Sequence, residues 1–281
     1  MAGKGVISAP YQVRGRLSQA RNDKLHKTYI LMHKLIFLFI FLGIILIAQG
    51  IVYPFDFDIS PVRIFIDPKA KSATLTLKNK GKDYLTLQLK IYKWTQNADG
   101  EDIYEETSDM IIFPKILKIK GEEERLIRIG TKIRDSELEK TYRIYIDELA
   151  TSPKAPEKGA TAQVAMKVGV PVFIRSLKTD VRGKIESFAV RNGKIEVRIK
   201  NEGNSHFMIQ TTVIKGRNLE DKEVFSRELG GWYLLRGISR IYTIPVPEEI
   251  CKNLARLDIE VKTDRFNLSG KLDVNQAMCM P

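Results

Sequence analysis

From residue 57 onward, apolar and polar residues alternate with a period of two. Leu85, Leu87, Leu89 and Ile91 are interleaved with Thr86, Gln88 and Lys90. Tyr142, Ile144 and Ile146 alternate with Arg143, Tyr145 and Asp147; Ile195, Val197 and Ile199 with Glu196, Arg198 and Lys200; Leu257, Ile259 and Val261 with Asp258, Glu260 and Lys262. Successive side chains of a strand point to opposite faces, so each run places one face on a core and the other in water. Turn signals separate the runs at Asn79-Lys80-Gly81, Asp99-Gly100, Asn192-Gly193 and Asn201-Glu202-Gly203. The Asn192-Gly193 pair between two alternating runs predicts a two-residue hairpin turn, which needs positive φ twice. Helical periodicity is nearly absent; Arg134–Lys140 and Glu248–Leu254 are long enough for a turn or two. Strands are expected near 57–66, 72–79, 84–94, 103–105, 124–129, 140–149 and 161–175, and a second series from Gly183 to the end. The pattern predicts an all-β chain of two sandwiches, residues 51–177 and 178–281, joined at Leu177–Val181 by a linker short enough to hold them at a fixed angle. Thr151–Gly159, with Pro153, Pro156 and no bulky apolar residue, predicts an exposed loop of the first sandwich.

One segment breaks the alternation. Leu35–Ala48 is a run of fourteen residues without a polar side chain. A helix needs about 20 apolar residues to span a bilayer, whereas the core of a signal peptide needs roughly 7–15. His33 and Lys34 precede the run, and Ala48-Gln49-Gly50 follows it as a small-x-small cleavage pattern. The pattern predicts a cleavable signal peptide over residues 32–50, starting at Met32, with residues 1–31 an over-called N-terminal extension and a mature start near Ile51. Counted on through Ile51 and Val52, the same run also suits an uncleaved anchor behind a basic cytoplasmic arm, and both readings stand at this point. Export places Cys251 and Cys279, the two cysteines of the chain, in an oxidising compartment. There they point to a single disulfide, with two unlinked buried thiols as the alternative.

Charge and composition mainly exclude. Lys and Arg number 46 against 34 acids, a net charge of +12. Residues 1–50 hold seven of the bases against one acid, Asp23, so half of the excess precedes the folded part. Beyond it, bases alternate with acids instead of forming the basic stripe of a nucleic-acid interface. Of His26, His33 and His206, only the last follows the leader, which leaves little from which to build a multi-histidine metal site or a histidine-containing triad. Gly230-Gly231 before Trp232 reads as a turn, not a phosphate loop. The expectation is a protein with no catalytic residues, cofactor, metal, nucleic acid or small-molecule substrate.

Three segments in order carry a family resemblance. Phe57-Asp-Ile-Ser-Pro-Val-Arg63-Ile-Phe-Ile-Asp67 resembles the first strand of the periplasmic pilus-assembly chaperones of chaperone–usher systems. Glu124-Arg-Leu-Ile-Arg-Ile-Gly130 and Thr141-Tyr-Arg-Ile-Tyr-Ile-Asp-Glu148 resemble their E and F strands, and Val164-Ala-Met-Lys-Val-Gly-Val-Pro-Val-Phe-Ile-Arg175 their G strand, in wording closest to the archaic branch. The resemblance implies two immunoglobulin-like domains and a periplasmic protein that binds, folds and stabilises pilus or fimbrial subunits and delivers them to an outer-membrane usher. Subunits lack one strand, and the chaperone lends its own. Donor side chains would be Ala162, Val164, Met166, Val168 and Val170, with packing into the chaperone's own core as the alternative for each. Arg63 would hold the subunit's C-terminal carboxylate. The family's second anchor, a lysine, falls at Pro171, and Lys167 is the nearest base of the same strand parity. Glu148, Arg175 and Asp264 match a salt-bridge network between the domains. The long donor strand, an exposed edge, implies capping or self-association of the free form. A membrane-anchored adhesion or binding module of two sandwiches shares these fold signals and differs in keeping its leader.

Overall fold

Each alternating run forms a strand with its apolar side inward. The computed structural model describes residues 57–134, 136–149 and 166–279, together with Met32 and Lys34. The rest of the leader, the Thr151–Gly159 loop, Ala162 and Val164 lie outside the described residues. One sheet of the first sandwich has the order β1-β3-β8-β6 (Phe57–Ser60, Ser72–Asn79, Glu124–Thr131, Met110–Phe113). The other has the order β2-β10-β9-β4-β5 (Ile64–Ile66, Lys167–Ile174, Lys140–Glu148, Leu85–Gln96, Asp102–Glu106), with β7 (Ile116–Ile119) pairing β4. Leu75, Leu77, Ile127 and Ile129 meet Leu87, Leu89, Ile144, Ile146 and Val172 between the two sheets. Each such side chain contributes about 1.5–3 kcal/mol on burial.

The second sandwich sets β11-β12-β16 (Gly183–Arg191, Lys194–Asn201, Ser239–Pro245) against β14-β13-β17-β18 (Glu223–Gly230, Phe207–Arg217, Arg256–Thr263, Asn267–Asp273). A two-residue strand, β15 (Tyr233–Leu234), also pairs β13. Its core joins Ile195, Val197 and Ile199 to Ile214, Leu257 and Ile259. Asn192 and Gly193 have φ of 50° and 68°, as the hairpin turn between β11 and β12 requires. The helix expected near Glu248–Leu254 is present as Glu248–Lys252 (α1). Cys251 in α1 is bonded to Cys279 in the closing 3₁₀ turn, which staples the end of the chain to the entry of β17.

Three local expectations change. Residues 57–66 are two strands in different sheets, because Pro61 offers no N–H to continue one ladder. Arg134–Lys140 contains no helix among its described residues. Strands β6 and β7 were not expected: four-residue runs flank Pro114, and apolar Ile111 and Phe113 occupy the outer face of β6, which hides the alternation.

The alternation also switches inside β4. Leu85, Leu87 and Leu89 face the first core, but Trp94 and Gln96, of the opposite parity, are buried as well. They face the second sandwich, where Trp94 and Phe173 of the first pack with Tyr233 and Leu235 of the second. The chain after Pro54 is one compact unit, and this aromatic cluster is the seam between its sandwiches.

Candidate functional site

Strand β10 has a closed half and an open half. It pairs antiparallel with β9 along its whole length, from Lys167 opposite Asp147 to Ile174 opposite Lys140. On its other side β2 pairs only Val172–Ile174. Among the described residues the outer edge of Lys167–Pro171 therefore carries no strand. Pro171, which has no N–H to donate, stands where that edge begins and suits a strand with one free side. From Val170 to Ile174 five consecutive residues are buried, because the first core covers one face of the sheet and the aromatic seam covers the other.

The candidate donor side chains fall on both sides of this division. Met166 and Val168 are half-buried against the first core. Val170 is 1% exposed and is a core residue, which corrects its assignment to the donor set: its side chain already fills the space between Ile144 and the opposite sheet. On the outward face Gly169 has a structural reason. A Cβ there would lie 2.7 Å from Nε of Arg143, whose side chain crosses the strand at this point.

Arg63 immediately precedes β2, on the face that carries Phe65. It is half-buried, and its charge acts on the hydroxyl of Tyr233 from the second sandwich. Burial pushes the Tyr233 hydroxyl up from its ordinary range, against the pull of Arg63 and Arg143, so the group stays protonated near neutral pH. Lys167 is engaged elsewhere, 3.7 Å from Asp147 and over the ring of Tyr145 at 4.5 Å. Arg63 stands beside the Pro171 level of β10, four residues and about 13 Å of strand from Lys167. The structure does not bring these two cations together.

The cation cross-strand from Pro171 is Arg143, which in the sequence is only the polar member of an alternating run. Its guanidinium lies 5.0 Å from the rings of Trp94 and Trp232, one from each sandwich. Its Nη1 donates to the Tyr104 hydroxyl at 2.7 Å and lies 3.5 Å from Asp102. Burial also raises the Tyr104 hydroxyl pKa, with Arg143 opposing it.

The expected network of Glu148, Arg175 and Asp264 is not formed. The antiparallel β9–β10 pair puts Glu148 beside Met166 and Arg175 just past Ile174, at opposite ends and roughly 25–30 Å apart. Arg175 instead bonds Asp67 at 2.7 Å and covers the ring of Phe65, while Asp264 accepts the Met208 N–H at 2.7 Å. Other groups join the sandwiches. Glu139 accepts both the backbone N–H and Nδ1 of His206, at 2.8 and 2.7 Å, and the imidazole stacks on Phe173 at 3.6 Å. Gln96 donates to the Tyr233 carbonyl and accepts the Leu235 N–H, both at 2.9 Å. The Trp232 indole donates to Asp102 at 2.9 Å. The switch of parity at Trp94 and Gln96 is the one sequence signal for this seam; nothing in the spacing of Glu139 and His206 announces them. Among the described residues no three His, Cys, Asp or Glu side chains converge as metal ligands.

An open strand edge beside a half-buried arginine suits a main-chain ligand that ends in an anion. Residues 56–178 match the PapD N-terminal domain of pili and flagellar-assembly chaperones. "Probable fimbrial chaperone LpfB" of Escherichia coli O157:H7 is 27% identical over 148 residues, which cover 51% of this chain and 60% of that protein. In fold, the chain is similar to one in the crystal structure of the CsuC–CsuE chaperone–tip adhesion subunit pre-assembly complex from archaic chaperone–usher Csu pili of Acinetobacter baumannii. The TM-score is 0.53 at 19% identity, over 75% of this chain and 97% of that one. The YadV chaperone gives a TM-score of 0.51 at 12% identity, over 78% of this chain and all of that one. The first sandwich thus matches the PapD N-terminal domain, and about half of the chain is similar to a fimbrial chaperone.

Proposed function

We propose that this protein binds, folds and stabilises pilus or fimbrial subunits in the periplasm by donor-strand complementation and passes them to an outer-membrane usher, catalysing no reaction. The observation that carries the reading is the edge of Lys167–Pro171 next to Arg63, which no strand pairs among the described residues. A subunit strand added there gains main-chain hydrogen bonds along the edge, while Met166 and Val168 turn their free surface to the subunit's incomplete core. Arg63 stands where that edge ends, with a guanidinium able to take a C-terminal carboxylate through two parallel N–H bonds. In this reading the leader is removed, the mature chain starts near Ile51, and the two domains are residues 51–177 and 178–281.

The test is recovery of the tagged protein from the periplasm of its host, followed by mass spectrometry. A mature mass starting near Ile51 with a small co-purifying β-sandwich subunit is expected. A chain that keeps its leader and comes down alone under mild conditions overturns the proposal.

A further inference from the structure

The alternation of the β9–β10 ladder decides what its open edge offers. The Glu148 N–H bonds the Met166 carbonyl, so Met166, Val168 and Val170 stand in the hydrogen-bonded pairs with β9. Lys167 and Gly169 stand in the alternate pairs. Their N–H and C=O groups therefore face away from β9, toward the edge that carries no strand among the described residues. Directly opposite Gly169, on the outer face of the sheet, is Tyr145. Glycine leaves its own side-chain position empty, and the neighbouring strand fills it. Cε1 of Tyr145 lies 3.3 Å, and Cδ of Arg143 3.4 Å, from where a Gly169 Cβ would stand. The Tyr145 ring thus extends over β10 toward its open edge. Tyr92 of β4 and Tyr104 of β5, on the side away from β10, meet that ring edge-on at 5.9 and 5.3 Å and set its direction. The ring itself stays half-exposed.

We propose that Tyr145 is a specificity residue for the strand that pairs with β10: the incoming residue opposite Gly169 packs on the tyrosine ring, and a large apolar or aromatic side chain is preferred there. The inference rests on the reading of the β10 edge given above. In that reading the main-chain bonds accept any sequence, and Met166 and Val168 meet only the inner face of the incoming strand. Selection on the outer face needs a side chain, which Gly169 lacks and Tyr145 supplies. Opposite residues of neighbouring strands hold their Cβ atoms about 4.5–5.5 Å apart. A ring lying over Gly169 is then within reach of a long side chain from the far side, and out of reach of Ser or Ala. Lys167, whose ammonium stands 4.5 Å from the ring centre, already faces Asp147 at 3.7 Å. That pair offsets its own charge, so the ring and not the cation is what the incoming residue meets.

The test uses the full mature protein and a set of synthetic peptides in which apolar residues alternate with serine. The serines are changed to Phe one at a time, so that every outward position is sampled whatever the register. Wild type is expected to gain about threefold to tenfold in affinity from Phe at one outward position, as for one aromatic pair, and little from it elsewhere. Tyr145→Ala should abolish that gain. Tyr145→Phe keeps the ring and should retain it. The quantity read is the ratio of the Phe peptide to the all-serine peptide, which a general loss of stability in either variant does not move. A Phe gain that survives Tyr145→Ala, is absent or equal at all outward positions in wild type, or disappears in Tyr145→Phe overturns the proposal. If wild type binds no peptide of the set, the reading of the β10 edge itself is overturned, and the role of Tyr145 with it.

Discussion

In the first sandwich β3 ends in Asn79, whose buried amide donates to the carbonyls of Asp83 and Ile119 and accepts the Gly81 N–H. In the second, β12 ends in Asn201, which donates to Ser205 and Leu234 and accepts the Gly203 N–H. The same Asn-x-Gly turn therefore ties the end of a strand to a neighbouring segment in both halves. The halves differ in how their chains finish. The first sandwich ends in β10, half of which has one edge without a strand among the described residues. The second ends in a turn bonded through Cys279 to the helix that leads into β17. An exposed strand edge is a liability in a stable domain and an asset where another chain must pair with it. Among the described residues the first sandwich thus finishes on a half-paired strand, and the second on a turn tied down by the disulfide.

Removing the staple should break this contrast most strongly. Replacing both Cys251 and Cys279 with Ala opens a link of sequence separation 28 and should cost about 3.5 kcal/mol by the loop-entropy relation. Denaturant titration should show the loss in the second sandwich while the first keeps its transition; equal loss in both would mean that they unfold as one unit. The matched substitutions Asn79→Ala and Asn201→Ala should each cost about 2–3 kcal/mol, since each leaves several backbone groups without partners. A neutral Asn201→Ala would show that the turn holds without its amide.

A smaller effect separates the two halves of β10. Val170→Ala should destabilise the first sandwich by about 1–2 kcal/mol, as a methyl-deletion cavity in a packed core does. Val168→Ala should change stability by less than about 1 kcal/mol yet lower subunit recovery, because its side chain is only half-covered. Arg63→Ala should lower stability by about 1 kcal/mol, leaving the protein folded, while abolishing stable subunit capture; wild-type recovery would remove Arg63 from the site. Smallest of all, Arg175→Ala should cost below about 1 kcal/mol, because its bond to Asp67 is solvent-exposed. A larger loss would return Arg175 to a role in joining the sandwiches.

The sequence by itself determined most of the strands and their inward faces, since the two-residue period is a local property of the chain and one parity of each run must leave water. The residues that carry the resemblance, Arg63 among them, were legible for the same reason: they lie in continuous segments. Only the tertiary structure decided which residues of β10 are free. Val168 and Val170 look alike in the alternation, and their difference comes from the packed core that closes around Val170. It also decided how the sandwiches meet. The antiparallel register of β9 and β10 separates Glu148 from Arg175, and the joints fall instead to Glu139 with His206 and to Gln96 with Tyr233 and Leu235. Those partners lie 67 or more residues apart in the chain. No local period reports a contact at that separation, because the position of each partner is set by the packing of a whole sandwich and not by its neighbours in sequence.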